Sequence, residues 1–110
     1  MSTYDRDFCP RYHHAVELIG SRWAGVILRE LLRGATRFSE LADAIPDMTD
    51  KLLAERLKRF VAEGLVERRV ISETPVRIEY HLTDMGRDLE RTVREISIWA
   101  ERWLPVPPTS

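Results

Sequence analysis

The stretch FSELADAIPDMTDKLLAERLKRFVAEGL, residues 38–65, predicts two helices joined by a short turn. Pro46 ends the first helix, and Thr49 is a good N-cap for a second helix over residues 49–63. Apolar side chains recur at helical spacing in both halves, first as Phe38, Leu41, Ala42 and Ile45, then as Leu53, Leu57, Phe60 and Val61. Two helices of these proportions are typical of a helix-turn-helix.

The segment that follows predicts a β-hairpin and one more helix. Gly64 can close the second helix in a left-handed conformation, with Leu65 against Phe60. The alternating residues that share one face are Val66, Arg68 and Val70 in one strand and Ile78, Tyr80 and Leu82 in the next. Residues 72–76 form the loop between them. Thr83 is an N-cap for one long final helix. Its apolar stripe is Met85, Leu89, Val93, Ile96, Trp99 and Trp103.

Two helices are predicted before this stretch. The first starts at Pro10 and stops at Gly20. Its apolar face is Tyr12, Ala15, Val16 and Ile19. The second runs from Trp23 to Leu32 and is apolar almost all round, which is typical of a helix at the centre of a domain. The order of elements predicts a mainly α fold with a small β-hairpin (α+β), a winged helix-turn-helix.

Length and composition limit the classes of protein to which the chain can belong. The chain has 110 residues, 44% of them hydrophobic, which predicts one domain over residues 8–104, an N-terminal arm over 1–7 and a flexible tail over 105–110. A single cysteine excludes an intramolecular disulfide and indicates a reducing compartment. No apolar run spans a bilayer and no signal peptide begins the chain, so we expect a cytoplasmic protein without a membrane partner. No catalytic motif is present, so we do not expect an enzyme.

The outward face of the second helix carries the candidate DNA-binding residues. Lys51 and Glu55 lie on its first turns, where they could read guanine and cytosine. Lys58 and Arg59 lie further back and suit phosphates. The other candidates are Leu52 on the flank of that helix, Thr49 at its cap and Ser39 at the start of the preceding helix. The alternative is an ordinary solvated polar face.

Charge gives the DNA hypothesis little support by itself. The whole chain has 17 Lys and Arg against 18 Asp and Glu, and residues 49–82 hold seven basic and six acidic side chains. A positive surface can therefore form only if the fold places basic side chains on one face and acidic side chains on another. In the hairpin, Arg68, Arg69 and Arg77 cluster on the two strands, and Arg77, which borders the tip, could enter a narrow minor groove. The alternative is cross-strand pairing with Glu67 or Glu79, which for Arg69 is at least as favoured as DNA contact.

The last helix predicts a dimer. Trp99 and Trp103 are at i and i+4, beyond the reach of one small core, and large exposed aromatics usually mark an interface. The predicted interface is Tyr12, Val16, Ile19, Ile96, Trp99 and Trp103. Alternatively, both indole rings fold back onto their own domain. A twofold dimer would place its second helices of the motif roughly 34–36 Å apart.

Cys9 lies at the predicted N-cap of the first helix, where a helix N-terminus and nearby His13 and His14 favour a thiolate. It is either a capping and packing residue or a redox-reactive thiol. A metal site of Cys9, His13, His14 and Asp5 lacks a second cluster of ligands. We therefore expect no metal and no cofactor.

Several motifs in a fixed order carry a resemblance that covers residues 8–103. They are Cys9-Pro10, Glu17-Leu18-Ile19-Gly20-Ser21-Arg22-Trp23, Ile27-Leu28-Arg29-Glu30-Leu31-Leu32, Arg37-Phe38-Ser39-Glu40-Leu41, Leu53 with Arg56-Leu57, Gly64-Leu65-Val66-Glu67-Arg68, Pro75 with Arg77-Ile78-Glu79-Tyr80, and Leu82-Thr83 with Gly86. In these motifs the chain resembles the HxlR-type transcriptional regulators of the MarR-like superfamily.

The resemblance implies a prokaryotic, dimeric, DNA-binding winged helix. Its terminal helices would form the dimer, and its two recognition helices would read an inverted repeat in double-stranded DNA. The cysteine that matches Cys9 senses oxidants or electrophiles in some members, which implies a small-molecule or oxidant effector. The chain departs from the family at Ala54 and Glu55, where polar uncharged residues are common.

We therefore predict a homodimeric repressor that binds a palindromic operator through the second helix of the motif and the hairpin. Two alternatives stay open. One is a winged helix that binds proteins and not specific DNA, and the other is a thiol- or ligand-responsive regulator that acts through Cys9.

Overall fold

The computed structural model describes residues 9–106. The predicted arm over residues 1–7 and the end of the predicted tail, residues 107–110, lie outside the described part. The elements are α1 (Pro10–Gly20), α2 (Ala24–Leu32), α3 (Phe38–Ala44), α4 (Asp50–Ala62), β1 (Val66–Ile71), β2 (Arg77–Leu82), α5 (Asp84–Arg87) and α6 (Glu90–Trp103). This order confirms the predicted α+β winged helix-turn-helix.

The core forms around α2, as its apolar composition predicts. Ile27 and Leu28 are fully buried there, and they belong to one cluster with residues of α1, α3, α4 and β1. The other large members are Leu18, Leu31, Leu41, Ile45, Met48, Leu53, Leu57, Phe60, Leu65 and Val66. Trp23 is the N-cap of α2 and not its first residue, because its φ of 71° is left-handed and breaks the helical path after α1.

The helix that follows the turn of the motif begins and ends as predicted. The Thr49 hydroxyl oxygen accepts from the Leu52 N–H at 3.2 Å and caps α4. Gly64 has a φ of 87°, and the Leu65 N–H donates to the Phe60 carbonyl at 2.9 Å. The prediction of Val61 on the inner face is wrong. Val61 lies about 80° around the helix from Leu53, so it stays exposed.

The hairpin has the predicted faces. Val66 pairs with Leu82, and Val70 pairs with Ile78, in an antiparallel register. The outer edge of β2 also contacts the segment before α3, because the Tyr80 N–H donates to the Thr36 carbonyl at 2.7 Å. A bridge between Arg37 and Glu79 continues this pairing. The hairpin is therefore fixed to the first helix of the motif and not only to the second.

The prediction of one long final helix is wrong, because the helix is broken at Asp88 and Leu89 into α5 and α6. The Thr83 N–H donates to the Leu65 carbonyl at 3.0 Å, which holds α5 against the start of β1. The buried Gly86 packs on the same carbonyl, and the Leu89 N–H returns to the Gly86 carbonyl in a tighter turn. Leu89 packs against the core, whereas Met85 of the predicted stripe is exposed.

Among the described helices, none combines the length and apolarity that crossing a bilayer requires.

Candidate nucleic-acid interface

The outward face of α4 is a solvent-exposed surface that carries cations. Lys51, Glu55 and Lys58 are exposed, and at 100° per residue they lie within about 60° of one another. Arg59 is half-buried beside them. Within residues 9–106, none of these four side chains forms an ion pair. The opposite face of the helix is buried in the core, so this face is the one that can meet a partner.

The other candidates of the motif lie around this face in different roles. Ser39 is exposed on the first turn of α3. Thr49 uses its oxygen to accept from the Leu52 N–H, which leaves its O–H free to donate. Leu52 is half-buried and packs against the core cluster. Leu52 lies on the flank of α4 as predicted, but much of its side chain packs against the core and so helps to hold α4 in place.

The hairpin arginines differ from one another in their partners. Arg77 Nε lies 2.8 Å from Glu79 Oε2, and its Nη1 lies 3.2 Å from Glu73 Oε2. Arg69 Nε lies 2.7 Å from Glu67 Oε1. Both arginines thus pair with the glutamates that the alternative named, but each pair lies within one strand, Arg69 with Glu67 on β1 and Arg77 with Glu79 on β2, so the expected cross-strand geometry is wrong. Arg77 is not an unpaired cation. Arg68 is exposed and, in the part of the chain that the structure describes, is in no ion pair.

A groove joins the hairpin tip to the first helix of the motif. Its volume is about 520 Å³, and Arg37 and Ser39 line one side while Glu73, Val76 and Arg77 line the other. The structure thus brings the predicted residues Ser39 and Arg77 to one surface.

Two carboxylates hold this surface together. The backbone N–H groups of Thr36 and Arg37 donate to Glu40 at 3.0 and 2.9 Å and lower the pKa of its carboxyl. The His81 ring, 2.7 Å from Glu79, and then Arg77 lower the pKa of the Glu79 carboxyl. Both carboxylates are ionised at neutral pH. Glu40 ties the segment before α3 to the first turn of that helix, and Glu79 holds the side chains of Arg77 and His81 along β2.

The predicted dimer residues are exposed along α1 and α6. Trp99 is 56% exposed and Trp103 is 67% exposed, so neither ring folds back onto its own domain in the described chain. Tyr12, Val16 and Ile96 are also exposed. Ile19 is half-buried, and with Ile96 it lines a largely apolar groove of about 430 Å³ between α1, α2 and α6. A single protomer leaves this apolar face uncovered.

Cys9 caps α1 as predicted. Its sulfur accepts from the Tyr12 N–H at 3.5 Å, and the residue is half-buried. The two histidines have carboxylate partners: His13 Nε2 is 2.7 Å from Glu17, and His14 Nε2 is 2.9 Å from Glu63. Among the described residues no group of His, Cys, Asp and Glu could hold a metal ion, and Asp5 lies outside them.

Two contacts that position α4 give no local signal in the sequence. Arg56 Nε donates to the Arg22 carbonyl at 2.8 Å, in the turn between α1 and α2. Glu63, at the end of α4, meets His14 of α1. These partners are 34 and 49 positions apart in the chain. They connect α4, which carries Lys51, to α1, which Cys9 caps, and to the turn that follows α1.

Known proteins match the chain along most of its length. The sequence model of HxlR-like helix-turn-helix proteins matches residues 18–107. The uncharacterized HTH-type transcriptional regulator YvaP of Bacillus subtilis (strain 168) is 48% identical over 98 residues, which is 89% of this chain and 91% of that protein. The HTH-type transcriptional regulator YodB of the same strain is 41% identical over 95 residues, covering 86% of this chain and 85% of its own.

Solved structures agree with the sequence matches. The reduced form of YodB has a TM-score of 0.80 at 38% identity and covers 93% of this chain and 100% of its own. YodB is also solved after diamide treatment and with a bound quinone. The redox regulator HypR in its oxidized form has a TM-score of 0.81 at 33% identity, over 89% of this chain and 100% of that one.

Proposed function

This chain belongs to the HxlR-like helix-turn-helix family of transcriptional regulators, and on that premise we propose that it binds double-stranded DNA as a homodimer through α4 and the β1–β2 hairpin. The observation that carries the proposal is the outward face of α4, where the exposed Lys51 and Lys58 have no carboxylate partner among the described residues. A cation that must first leave an intramolecular partner gains less from a phosphate, and these two need not do so.

Each part of the surface has a role in this proposal. Lys51 and Glu55 read base edges from the first turns of α4, Lys by donating to guanine and Glu by accepting from cytosine N4. Lys58 and Arg59 contact phosphates, as do the hydroxyls of Ser39 and Thr49.

A second copy of the chain covers the apolar face of α1 and α6. Its two α4 helices then meet successive major grooves, roughly 34–36 Å apart, so the operator is an inverted repeat. Bound over a promoter, such a dimer acts as a repressor because it occupies the DNA that polymerase needs.

Substitution of the two lysines separates their roles. We expect the protein to shift DNA from upstream of its own gene, with an affinity that falls steeply as salt rises. Lys58→Ala should weaken binding to all sequences equally and reduce the salt slope by about 0.9 for each phosphate that it no longer neutralises. Lys51→Ala should relax the preference at one or two base pairs of each half-site. Fluorescence anisotropy over a salt series, with single-base variants of the site, measures both effects.

The matched control is Arg94→Ala, which removes an exposed cation that pairs with Glu90 on α6. Arg94→Ala should leave the salt dependence of the DNA affinity and the base preference unchanged. A uniform loss from Lys51→Ala would remove that residue from base reading. If the wild-type protein shows no salt-sensitive shift, the DNA hypothesis is wrong and the protein-interaction alternative takes its place.

A second function, a response to thiol-reactive signals, is favoured by Cys9. Its half-buried sulfur caps the helix that lines the apolar face, so a group added there would press on α1. A quinone would react by forming a bond from Sγ to a ring carbon. The thiol proton goes to one quinone oxygen and the hydrogen of the attacked carbon moves to the other, which gives a hydroquinone thioether without an external oxidant or reductant. The relative YodB, solved with a bound quinone, supports this proposal.

Cys9→Ser tests the response to thiol-reactive compounds. Serine is itself a good N-cap, so the variant should fold and bind DNA like the wild type. We expect benzoquinone to release DNA from the wild type and to add one adduct per chain in intact mass spectra. The serine variant should show neither effect. Release that persists in Cys9→Ser would contradict the proposal.

A further inference from the structure

The guanidinium of Arg77 is held by two glutamates that differ in how firmly they are fixed. Glu79 lies on β2, its side chain is 15% exposed, and it also receives the bond from His81. Glu73 lies in the hairpin loop and its side chain is 55% exposed. The first pair is therefore anchored in the sheet, whereas the second is an ordinary exposed pair that costs little to break.

The atoms involved give the two glutamates different effects on Arg77. Glu79 accepts from Nε at 2.8 Å, which restrains the plane of the guanidinium and leaves both terminal nitrogens outside that bond. Glu73 takes one hydrogen of Nη1. A phosphate that binds in bidentate fashion across the end of the guanidinium needs Nη1 and Nη2 together. Glu73 already engages one of these two nitrogens at 3.2 Å.

The position of this edge makes the competition relevant to binding. Arg77 and Glu73 lie on the same side of the groove of about 520 Å³ that Arg37 and Ser39 complete from α3. A DNA backbone in this groove would meet the edge of Arg77 that Glu73 covers. Glu79 lies on the strand side and need not move.

We propose that Glu73 competes with DNA phosphate for Arg77, while Glu79 is a positioning residue that orients the guanidinium for the phosphate. This inference rests on the proposed DNA binding of α4 and the hairpin. In the free protein Arg77 is held back by Glu73, and DNA binding exchanges the Glu73 carboxylate for a phosphate. The competition lowers the affinity of the hairpin for DNA in general.

Two substitutions that remove the same charge should then act in opposite directions. Glu73→Gln should tighten binding to the upstream DNA about two- to fivefold, since an exposed pair of this kind is weak. Glu79→Gln should weaken binding, because the guanidinium loses its orientation. Anisotropy titrations at fixed salt measure both affinities, and a thermal melt checks that each variant folds.

The double variant identifies the partner of Glu73. Glu73→Gln in an Arg77→Ala background should change the affinity no further, because the cation that it would free is gone. If the gain persists without Arg77, or if both glutamine variants tighten binding alike, Glu73 acts only as a negative charge near DNA and the proposal is wrong. A wild-type protein that fails to bind DNA with salt-sensitive affinity would contradict the proposed function itself, which is a different result.

Discussion

Gly86→Ala is expected to destabilise the protein more than a glycine-to-alanine substitution at any other glycine of the described chain. A Cβ at this position would lie 2.2 Å from the Leu65 carbonyl oxygen and 2.8 Å from Leu82 Cδ2. The oxygen is backbone and also accepts from Thr83, so it has little room to move. We expect a loss of about 3 kcal/mol or more in the free energy of unfolding, at the upper end of overpacking effects.

Gly20→Ala is the matched control, since a Cβ there would meet nothing within 4 Å. It should leave the stability within roughly 0.5 kcal/mol of the wild type or raise it slightly. Urea unfolding at one fixed protein concentration compares the two, because dimerisation makes stability depend on concentration. Equal stability of both variants would mean that α5 does not press on the start of β1 as the structure has it.

The packing at Gly86 also shows what the sequence could not predict. Thr83 as a cap and the apolar stripe beyond it are local signals, and both are real, but together they indicated one helix. The break at Leu89 comes from a bond between Thr83 and Leu65, which are 18 positions apart. The spacing of apolar residues along one helix carries no information about a hydrogen bond to another element.

The core and the caps were predictable because they depend on neighbours in sequence. Leu53, Leu57 and Phe60 share a face by phase alone, and Gly64 ends α4 because its conformation is local. The prediction that Val61 is buried was wrong because Val61 lies at the margin of the same face. There the outcome depends on how far the next element extends over the helix.

In the candidate site, too, the features that depend on sequence neighbours were predictable and the contacts between distant residues were not. Exposure of Lys51 and Lys58 followed from the helical phase of α4. For Arg77 the sequence indicated only Glu79, two positions away, as a possible partner. It did not indicate Glu73, because only the bend of the hairpin loop brings Glu73 Oε2 to Arg77 Nη1. The bond between His14 and Glu63 has no sequence signal at all.

Removal of both indole rings, in a Trp99→Ala, Trp103→Ala variant, should have the largest effect on operator binding. These exposed side chains belong to the apolar face that a second copy covers in the proposed dimer, and large aromatics dominate such interfaces. Sedimentation should show a shift from dimer to monomer. A monomer holds one half-site without the help of its partner, so affinity for the whole operator should fall about 100-fold or more.

The change in affinity must come from assembly and not from damage to the DNA-binding surface. Binding to an isolated half-site should therefore stay near the wild-type value, and the circular dichroism spectrum should be unchanged. Val76→Ala removes an exposed apolar side chain on the hairpin loop and should leave the mass of the particle unchanged. An unaltered dimer in the double tryptophan variant would place the interface elsewhere. The lysines of α4 would then have to meet an inverted repeat with a different half-site spacing, because the distance between the two recognition helices depends on which faces of the protomers pack together.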